Sequence, residues 1–363
     1  MKILAVGGGT LGPVMPLLAV HQAMQRLEPA AKFLWVGTPG GPEKDMVRDA
    51  GIPFYSITVA KWPRYPSWRW FSFPADWFRA RREAEQLLDR LRPDVILSAG
   101  GFTAVPIMYA ASHRGMPCVA HQLDLIPGRS NVITAKLCER ITTSFAYEHR
   151  PFHASVADEP IPTPTLFSSH HLPSQAEARR HFHLDPHRPV TFVIGGGTGS
   201  GALNELVHQE LKEWLTITQI LHSTGKGKGI HLTEDRRHKG YHGQELYEKD
   251  MRQAYAASDV VMARAGIGTL SEVAALKKPT ILIPLPNSPQ EANARAFEEQ
   301  GAALVFPQGQ SDLGPQLRKT LGLLLADRSL QQELGESAHR FFPTDDGTAL
   351  AKVVLEVVVR RAK

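Results

Sequence analysis

Cysteine is nearly absent: Cys118 and Cys138 are the only two in 363 residues. Neither belongs to a Cys-x-x-Cys pair or a Cys/His metal spacing, so a disulfide framework is not expected and a reducing cytoplasm is the fitting compartment. No run approaches the ~20 apolar residues that a membrane-spanning helix needs. Met1-Lys2 passes directly into a strand pattern, so no signal peptide is expected. Neither sign of charge dominates. The formal net charge of +5 favours an anionic partner without choosing among nucleotide, lipid headgroup and nucleic acid. No RNP-like, KH or helix-turn-helix pattern supports the last of these, and no nucleic-acid partner is expected.

What the chain does have is clustered glycine. Gly7-Gly8-Gly9-Thr10 follows the apolar run 3–6, and Gly195-Gly196-Gly197-Thr198-Gly199 follows the run 190–194. Each cluster leads into a helical pattern. Strand, glycine turn and helix together bring backbone N–H groups and a helix N-terminus close to a phosphate, because glycine lacks the Cβ that would hold the ligand away. The same turn also serves tight strand-to-helix geometry with no ligand at all.

Around these turns, strand patterns at 3–6, 32–36, 54–59, 95–98 and 118–121 alternate with helical ones at 14–27, 79–91 and 106–113. The second half repeats the plan, with strands at 190–194, 218–222, 259–262 and 280–284 and helices at 202–215, 268–276 and 290–300. Alternation of this kind implies βαβ units and parallel sheets, and the length implies two domains. The expected domains are 1–160 and 161–345, with a final helix within 346–363 packing back on the first. Seven prolines between 151 and 189 predict an irregular connection there. The histidines in that stretch, His170-His171 and His181-Phe182-His183, lack a ligand pattern and read as solvated surface, so no metal site is expected.

The most specific segment is Met262-Ala263-Arg264-Ala265-Gly266-Ile267-Gly268-Thr269-Leu270-Ser271-Glu272. A strand ends, an arginine stands at its tip, glycines turn the chain, and two hydroxyls with a carboxylate open a helix. Ligands of parallel α/β sheets bind at the carboxyl ends of strands. One reading is therefore a nucleotide diphosphate at the helix N-terminus with Glu272 on a ribose. The competing reading is a capping box in which hydroxyls and Glu272 satisfy the helix N–H groups themselves.

This segment, Gly7 to Pro16, Gly100-Gly101-Phe102 leading to His121, and Gln290-Glu291-Ala292-Asn293-Ala294 followed by Gly301-Ala302-Ala303 together resemble the MurG family. The resemblance implies an α/β protein of the GT-B fold, two Rossmann-like domains with parallel sheets facing a central cleft. It further implies an inverting peptidoglycan glycosyltransferase that moves GlcNAc from UDP-GlcNAc to lipid I, giving lipid II. The donor is expected to meet Gly197, Thr198, Arg264, Ile267, Gly268, Thr269, Leu270 and Ser271, with Glu272 on the ribose and Gln290 and Asn293 on the sugar. Thr10, Leu11 and Gly12 are expected near the diphosphate and acceptor. Such transfer needs a base for the attacking hydroxyl and oriented dipoles or positive charge for the departing UDP. No Asp-x-Asp motif is present, which agrees with transfer that uses no metal or other cofactor.

The sequence also departs from the family. Where the first loop normally carries a histidine, Pro13 stands and cannot accept a proton. His121-Gln122-Leu123-Asp124 replaces His-Glu-x-Asn, so His121 and Asp124 become the candidates for proton transfer. The second glycine turn has Thr198 near the usual serine, and Pro162-Thr163-Pro164-Thr165-Leu166 occupies the place of an arginine-bearing segment. A glycolipid synthase, a UDP-sugar epimerase and a catalytically silent UDP-sugar-binding paralogue are the alternatives.

Residues 61–82 concentrate Trp62, Trp68, Trp70 and Trp77 with Phe71, Phe73 and Phe78 among six basic side chains that include Arg79. Aromatic rings favour the headgroup region and arginine adds attraction to anionic lipid, so Trp68, Trp70, Phe71, Trp77, Phe78 and Arg79 are expected to seat the protein peripherally on the cytoplasmic face of the plasma membrane. Core packing of the same aromatics, and a loop ordered against the other domain, are the competing readings. Other cell-wall enzymes are possible partners under the family resemblance.

Overall fold

The computed structural model describes residues 1–9, 12–59, 69–147, 151–152, 157–168, 170, 172–229, 231–247 and 249–362. The chain divides into two units, Met1–Leu166 with Asp345–Lys363, and Phe167–Thr344.

In the first unit the chain runs β1 (Lys2–Val6), α1 (Val14–Leu27), β2 (Lys32–Gly37), α2 (Glu43–Asp49), β3 (Phe54–Ser56), α3 (Arg69–Leu91), β4 (Val95–Ser98), α4 (Ala104–His113), β5 (Cys118–Gln122), α5 (Arg129–Thr134), β6 (Arg140–Thr143), β7 (Ala157–Pro160) and β8 (Thr163–Pro164). The apolar runs become central strands because a parallel sheet is covered on both faces: Ile3, Leu4, Ala5 and Val6 are wholly buried. Strand order is β3-β2-β1-β4-β5-β6-β7, with parallel pairing throughout. From β1 the chain builds towards one edge and then crosses back to β4. The crevice of such a sheet opens between those two strands at their carboxyl ends. Gly7 to Gly9 leave β1 at that point and Gly100-Gly101 leave β4.

The second unit repeats the design with α6 (Gln175–His181), β9 (Val190–Ile194), α7 (Gly201–Trp214), β10 (Gln219–Ser223), α8 (Leu232–Asp235), β11 (Tyr241–Gln244), α9 (Met251–Ala257), β12 (Val260–Ala263), α10 (Ile267–Ala275), β13 (Thr280–Leu282), α11 (Pro289–Glu299), β14 (Leu304–Val305), α12 (Leu313–Ala326) and α13 (Arg328–Phe341). Its order is β11-β10-β9-β12-β13-β14, again parallel. Here the order reverses between β9 and β12. The turn 195–199 leaves β9 and the segment from Arg264 leaves β12, so the two distinctive loops of this half flank one crevice.

Short β15 (Thr344–Asp345) pairs with β8, and α14 (Thr348–Ala362) lies on α1 and on β4 and β6 of the first sheet. Leu350, Ala351, Val354 and Val357 form the buried stripe that this docking covers.

Two expectations need correction. Among its described residues the proline-rich connection is not irregular throughout. Its first part supplies β7, an edge strand where a terminal proline costs no ladder bond, and a later part forms α6 behind a capping box of Ser174 and Glu177. Arg179 of α6 is buried and pairs with Asp259 at 2.6 Å while donating to the Ala257 and Pro186 carbonyls, which fixes the helix to the second core. The helix expected at 79–91 starts ten residues earlier, at Arg69, with Pro74 inside it. Proline near a helix start removes only an early bond, so the aromatic stretch continues as helix. Among the described residues no helix is long and apolar enough to cross a membrane.

Candidate active site

At the β9/β12 crevice the two loops are built very differently from ordinary turns. Gly199 has φ +68°, and a Cβ there would stand 2.2 Å from the Thr224 carbonyl oxygen, so only glycine lets the turn pass against the loop that follows β10. Gly199 N–H donates to the Gly196 carbonyl, leaving Gly197 and Thr198 exposed at the tip. Ser200 then caps α7, its Oγ accepting from Leu203 N–H at 3.3 Å. Lys228 donates from Nζ to the Gly199 carbonyl at 2.9 Å and brings a half-buried cation to the turn.

Arg264 binds the crevice together. Its Nε and Nη2 both donate to Ser200 Oγ, at 3.1 and 2.8 Å, Nη1 donates to the carbonyls of Ile283 and Pro284, and Nη2 donates to Gln308 Oε1. The side chain is almost wholly buried, and desolvation lowers its pKa. Arg264 therefore does not extend as a free hand to a ligand, as the sequence suggested. It holds the N-cap of α7, the exit of β13 and Gln308 in one arrangement. No carboxylate among the described residues pairs with it, so its charge remains uncompensated beside the turn.

The helix α10 begins at Ile267 after Gly266, whose carbonyl accepts from Leu270 N–H. No side chain caps this end, and Ser271 Oγ turns back to donate to the Gly268 carbonyl at 2.8 Å. The capping-box reading fails. The N–H groups of Ile267, Gly268 and Thr269 are left without an acceptor among the described residues, the usual condition of a helix start awaiting an anion. Gly268 faces open space, and above Gly266 the nearest group is Gln290 Nε2. Gln290 is fixed by its Oε1, which accepts from Leu285 N–H at 3.0 Å, so its amide N–H₂ points to the same opening. Ile267, Thr269, Leu270 and Ser271 are buried and form the floor.

Glu272 lies one turn deeper than expected, past the first turn of α10. Burial pushes its pKa up to about 7, against a short bond in which Tyr255 O–H donates to Oε2 at 2.5 Å. Asn293 differs more sharply from expectation. It is wholly buried, donating from Nδ2 to the Ala265 carbonyl at 3.2 Å, and so braces the loop and offers no surface to a sugar.

In the first unit, Thr10 and Leu11 lie outside the described residues, while Gly12 is exposed and Pro13 opens α1. His121 is wholly buried in β5. Its Nδ1 bonds Thr142 Oγ1 at 2.8 Å and its Nε2 bonds Ser144 Oγ at 3.1 Å, and desolvation pulls the pKa down to about 3. With both nitrogens engaged and no room for a substrate, His121 is a sheet-bracing residue and not a proton acceptor. Asp124 lies just beyond β5, half-buried, on a backbone fixed by Gln122 Nε2 and Tyr147 O–H, both donating to its carbonyl at 2.7 and 3.2 Å.

Of the aromatic patch, Trp68 lies outside the described residues, and Trp70 and Phe71 are placed within α3. Trp77 is half-buried edge-on against Tyr109. Phe78 is 66% exposed and Arg79 stands beside it in solvent.

Among the described residues one group, His208, His231 and Glu234, gathers metal-type donors. The two imidazoles stack at 3.7 Å with an interplanar angle of 7°, so their lone pairs run parallel and do not converge, and Asp235 and Glu205 each hold one ring nitrogen. The group is a hydrogen-bonded stack.

Sequence reasoning missed Ser200, Lys228, Tyr255 and Gln308. Ser200 carried a local signal as the N-cap after the glycines. The others approach from distant elements and had none.

Residues 3–143 match the N-terminal domain of glycosyltransferase family 28, and residues 190–344 match its C-terminal domain. The UDP-N-acetylglucosamine--N-acetylmuramyl-(pentapeptide) pyrophosphoryl-undecaprenol N-acetylglucosamine transferase of a Nocardioides species is 35% identical, over 98% of each chain. Its counterpart in Paenarthrobacter aurescens is 32% identical over 99% of this chain and 96% of that one. Among solved structures, MurG of Acinetobacter baumannii superposes with a TM-score of 0.74 at 24% identity, over 98% of this chain and 99% of that one. The glycosyltransferase SsfS6 of Streptomyces sp. SF2575, complexed with thymidine diphosphate, superposes with a TM-score of 0.65 at 16% identity, over 98% and 99% of the two chains, a likeness of fold alone.

The buried Glu272 makes stability depend on pH in a definite direction. Its folded pKa of about 7 exceeds the ordinary 4.5, so between those values the folded form keeps a proton that the unfolded form releases. Stability therefore falls as pH rises from about 4.5 to 7, by an amount on the order of 3 kcal/mol. Urea unfolding of Glu272→Gln, which cannot titrate there, is expected to lose less stability than the wild type over this window. Parallel curves for the two proteins would contradict the assignment.

Proposed function

The chain belongs to glycosyltransferase family 28, and from that premise we propose that it is the MurG-type enzyme, an inverting transferase that moves GlcNAc from UDP-GlcNAc to the lipid-linked MurNAc-pentapeptide, forming lipid II. The observation that carries this reading is the β9/β12 crevice. Among the described residues, three N–H groups on α10 without an acceptor and an exposed glycine turn lie beside two cations, Arg264 and Lys228, and no carboxylate pairs with Arg264. That is the environment a departing diphosphate requires, since its developing charge meets dipoles already oriented and cations already in place.

Within this reading the residues divide the work. The N–H groups of Ile267 to Thr269 and the tip at Gly197-Thr198 take the diphosphate. Glu272, oriented by Tyr255, accepts from the ribose, and the free amide N–H₂ of Gln290 meets the donor sugar. Arg264 contributes field and position. In the first unit Thr10, Leu11 and Gly12 are assigned to the diphosphate and acceptor, and Asp124 removes the proton from the attacking hydroxyl as the C–O bond to UDP breaks. No metal is invoked, because neutralisation of the leaving group is assigned to N–H dipoles and the two cations.

Transfer of radiolabelled GlcNAc to a lipid I analogue tests the reading. The wild type is expected to form the lipid II analogue. Asp124→Asn is expected to lower kcat by about 10²–10⁴-fold, the usual contribution of a general base, while still binding UDP-GlcNAc. Donor binding with no transfer by the wild type would point instead to a silent sugar-nucleotide-binding paralogue, for which Pro13 at the start of α1 is the relevant departure.

The lipid acceptor requires a membrane surface, and we assign that contact to the first part of α3, where Phe78 projects into solvent with Arg79 beside it. The protein would then act peripherally at the cytoplasmic face. Replacing Trp70, Phe71 and Phe78 by serine is expected to reduce co-sedimentation with vesicles containing anionic lipid, with circular dichroism unchanged. Undiminished sedimentation of the folded variant would remove the assignment.

A further inference from the structure

The glycine turn at 196–199 rests on a second glycine. A Cβ on Gly225 would stand 2.4 Å from Gly199 Cα, so the turn and the loop after β10 meet main chain to main chain. At that distance a shift of the loop passes directly to the turn. The loop also carries Lys228, whose Nζ reaches the Gly199 carbonyl. Whatever fixes residues 224–228 therefore fixes both the turn and the cation beside it. Glu245, after β11, holds the loop through its carbonyl to Gly225 N–H and its Oε1 to Gly227 N–H, at 2.8 and 3.0 Å. The hold from α7 is Asn204, which donates from Nδ2 to the carbonyls of Thr224 and Lys228, each at 3.0 Å.

Those two bonds set the direction of a longer chain. Both amide protons of Asn204 are engaged, so its Oδ1 faces His222 Nε2, at 3.1 Å. An amide oxygen only accepts, and His222 Nε2 therefore carries the ring proton. The other ring nitrogen, Nδ1, is bare and accepts from Tyr241 O–H at 2.8 Å. Burial holds this imidazole neutral, with its pKa down to about 3. Tyr241 reaches it because residue 243, which pairs with His222 across the sheet, is glycine: a Cβ there would stand 2.4 Å from the Tyr241 oxygen. The bonds run one way only, from Tyr241 to His222 to Asn204 to the loop, and each group's partner depends on the next.

We propose that Tyr241, His222 and Asn204 are positioning residues for the donor nucleotide, a hydrogen-bond chain of fixed direction that holds residues 224–228, and through them the glycine turn and Lys228, in the shape that takes a diphosphate. The inference rests on the reading that this turn meets the diphosphate. All three side chains are buried, and they act on the nucleotide only through the loop.

The test is UDP affinity of the full chain by isothermal titration, with urea unfolding run on each variant. Asn204→Asp keeps the shape but sets a carboxylate against two carbonyls, and His222→Leu leaves Asn204 Oδ1 and the Tyr241 hydroxyl without partners. Each is expected to weaken UDP binding by the folded protein about tenfold or more, the consequence of stranding buried polar groups at the support of the turn. His222→Gln, whose amide can still donate to Asn204, is expected to recover most of that loss. Tyr241→Phe removes a single oxygen and serves if the other variants do not fold; its expected loss is roughly threefold. A merely structural role would lower the urea midpoint and leave the affinity of the folded protein unchanged, and that result overturns the proposal. Equal losses in His222→Gln and His222→Leu would overturn it as well. If the wild type binds no UDP, the diphosphate reading falls and takes the proposal with it, whereas wild-type binding that no variant alters removes the proposal alone.

Discussion

The guanidinium of Arg264 is the constraint around which the second unit's site is arranged. Its five N–H bonds reach Ser200, the two carbonyls that follow β13 and Gln308, so the helix after one glycine turn and the exit of a neighbouring strand share a single planar fork. Because the group is desolvated and has no carboxylate partner, it cannot be removed cheaply, and its charge is not cancelled locally. The geometry of the turn and the field at the turn therefore have one source. Lys228, reaching the Gly199 carbonyl, adds to both.

The two halves of the chain use the same topology with opposite charges beside the glycine turn. Each sheet reverses its strand order beside a glycine turn, β1 and β4 in the first unit and β9 and β12 in the second. At the second turn an unpaired buried cation stands behind open N–H groups. At the first, the buried carboxylate of Glu43 has taken the N–H of Gly9 and the space left by three absent Cβ atoms.

Much of the fold was legible in the sequence because apolar runs and glycine punctuation are local properties. The helix Val14–Leu27 and the strands Val95–Ser98 and Val190–Ile194 match the expected bounds, and most others differ by a residue or two at their ends, while β3 stops three residues short of its expected end and α3 starts ten residues early. What failed was the reading of proline as a breaker. Pro74 sits inside α3 at the loss of one early helix bond, and Pro160 closes an edge strand at a position that did not require the missing N–H. The site was legible as to place but less so as to role. Arg264, at the exit of β12, and Asn293, on α11, both lie beside the crevice, yet their partners, Ser200, Gln308 and the Ala265 carbonyl, are set by tertiary packing, and that packing makes both side chains braces. His121 was misread for the same reason, because burial and its bonds to Thr142 and Ser144 cannot be inferred from its neighbours in the chain. Glu43 had a visible Gly40-Gly41-Pro42 before it, but nothing local connected it to Gly8 and Gly9.

The claim that the second glycine turn and the start of α10 accept the nucleotide is tested most directly by hydrogen exchange of the full chain with and without UDP. Slowed exchange at residues 196–199 and at the amides of Ile267, Gly268 and Thr269 is the predicted result. Unchanged exchange at those amides in the presence of saturating UDP would contradict it.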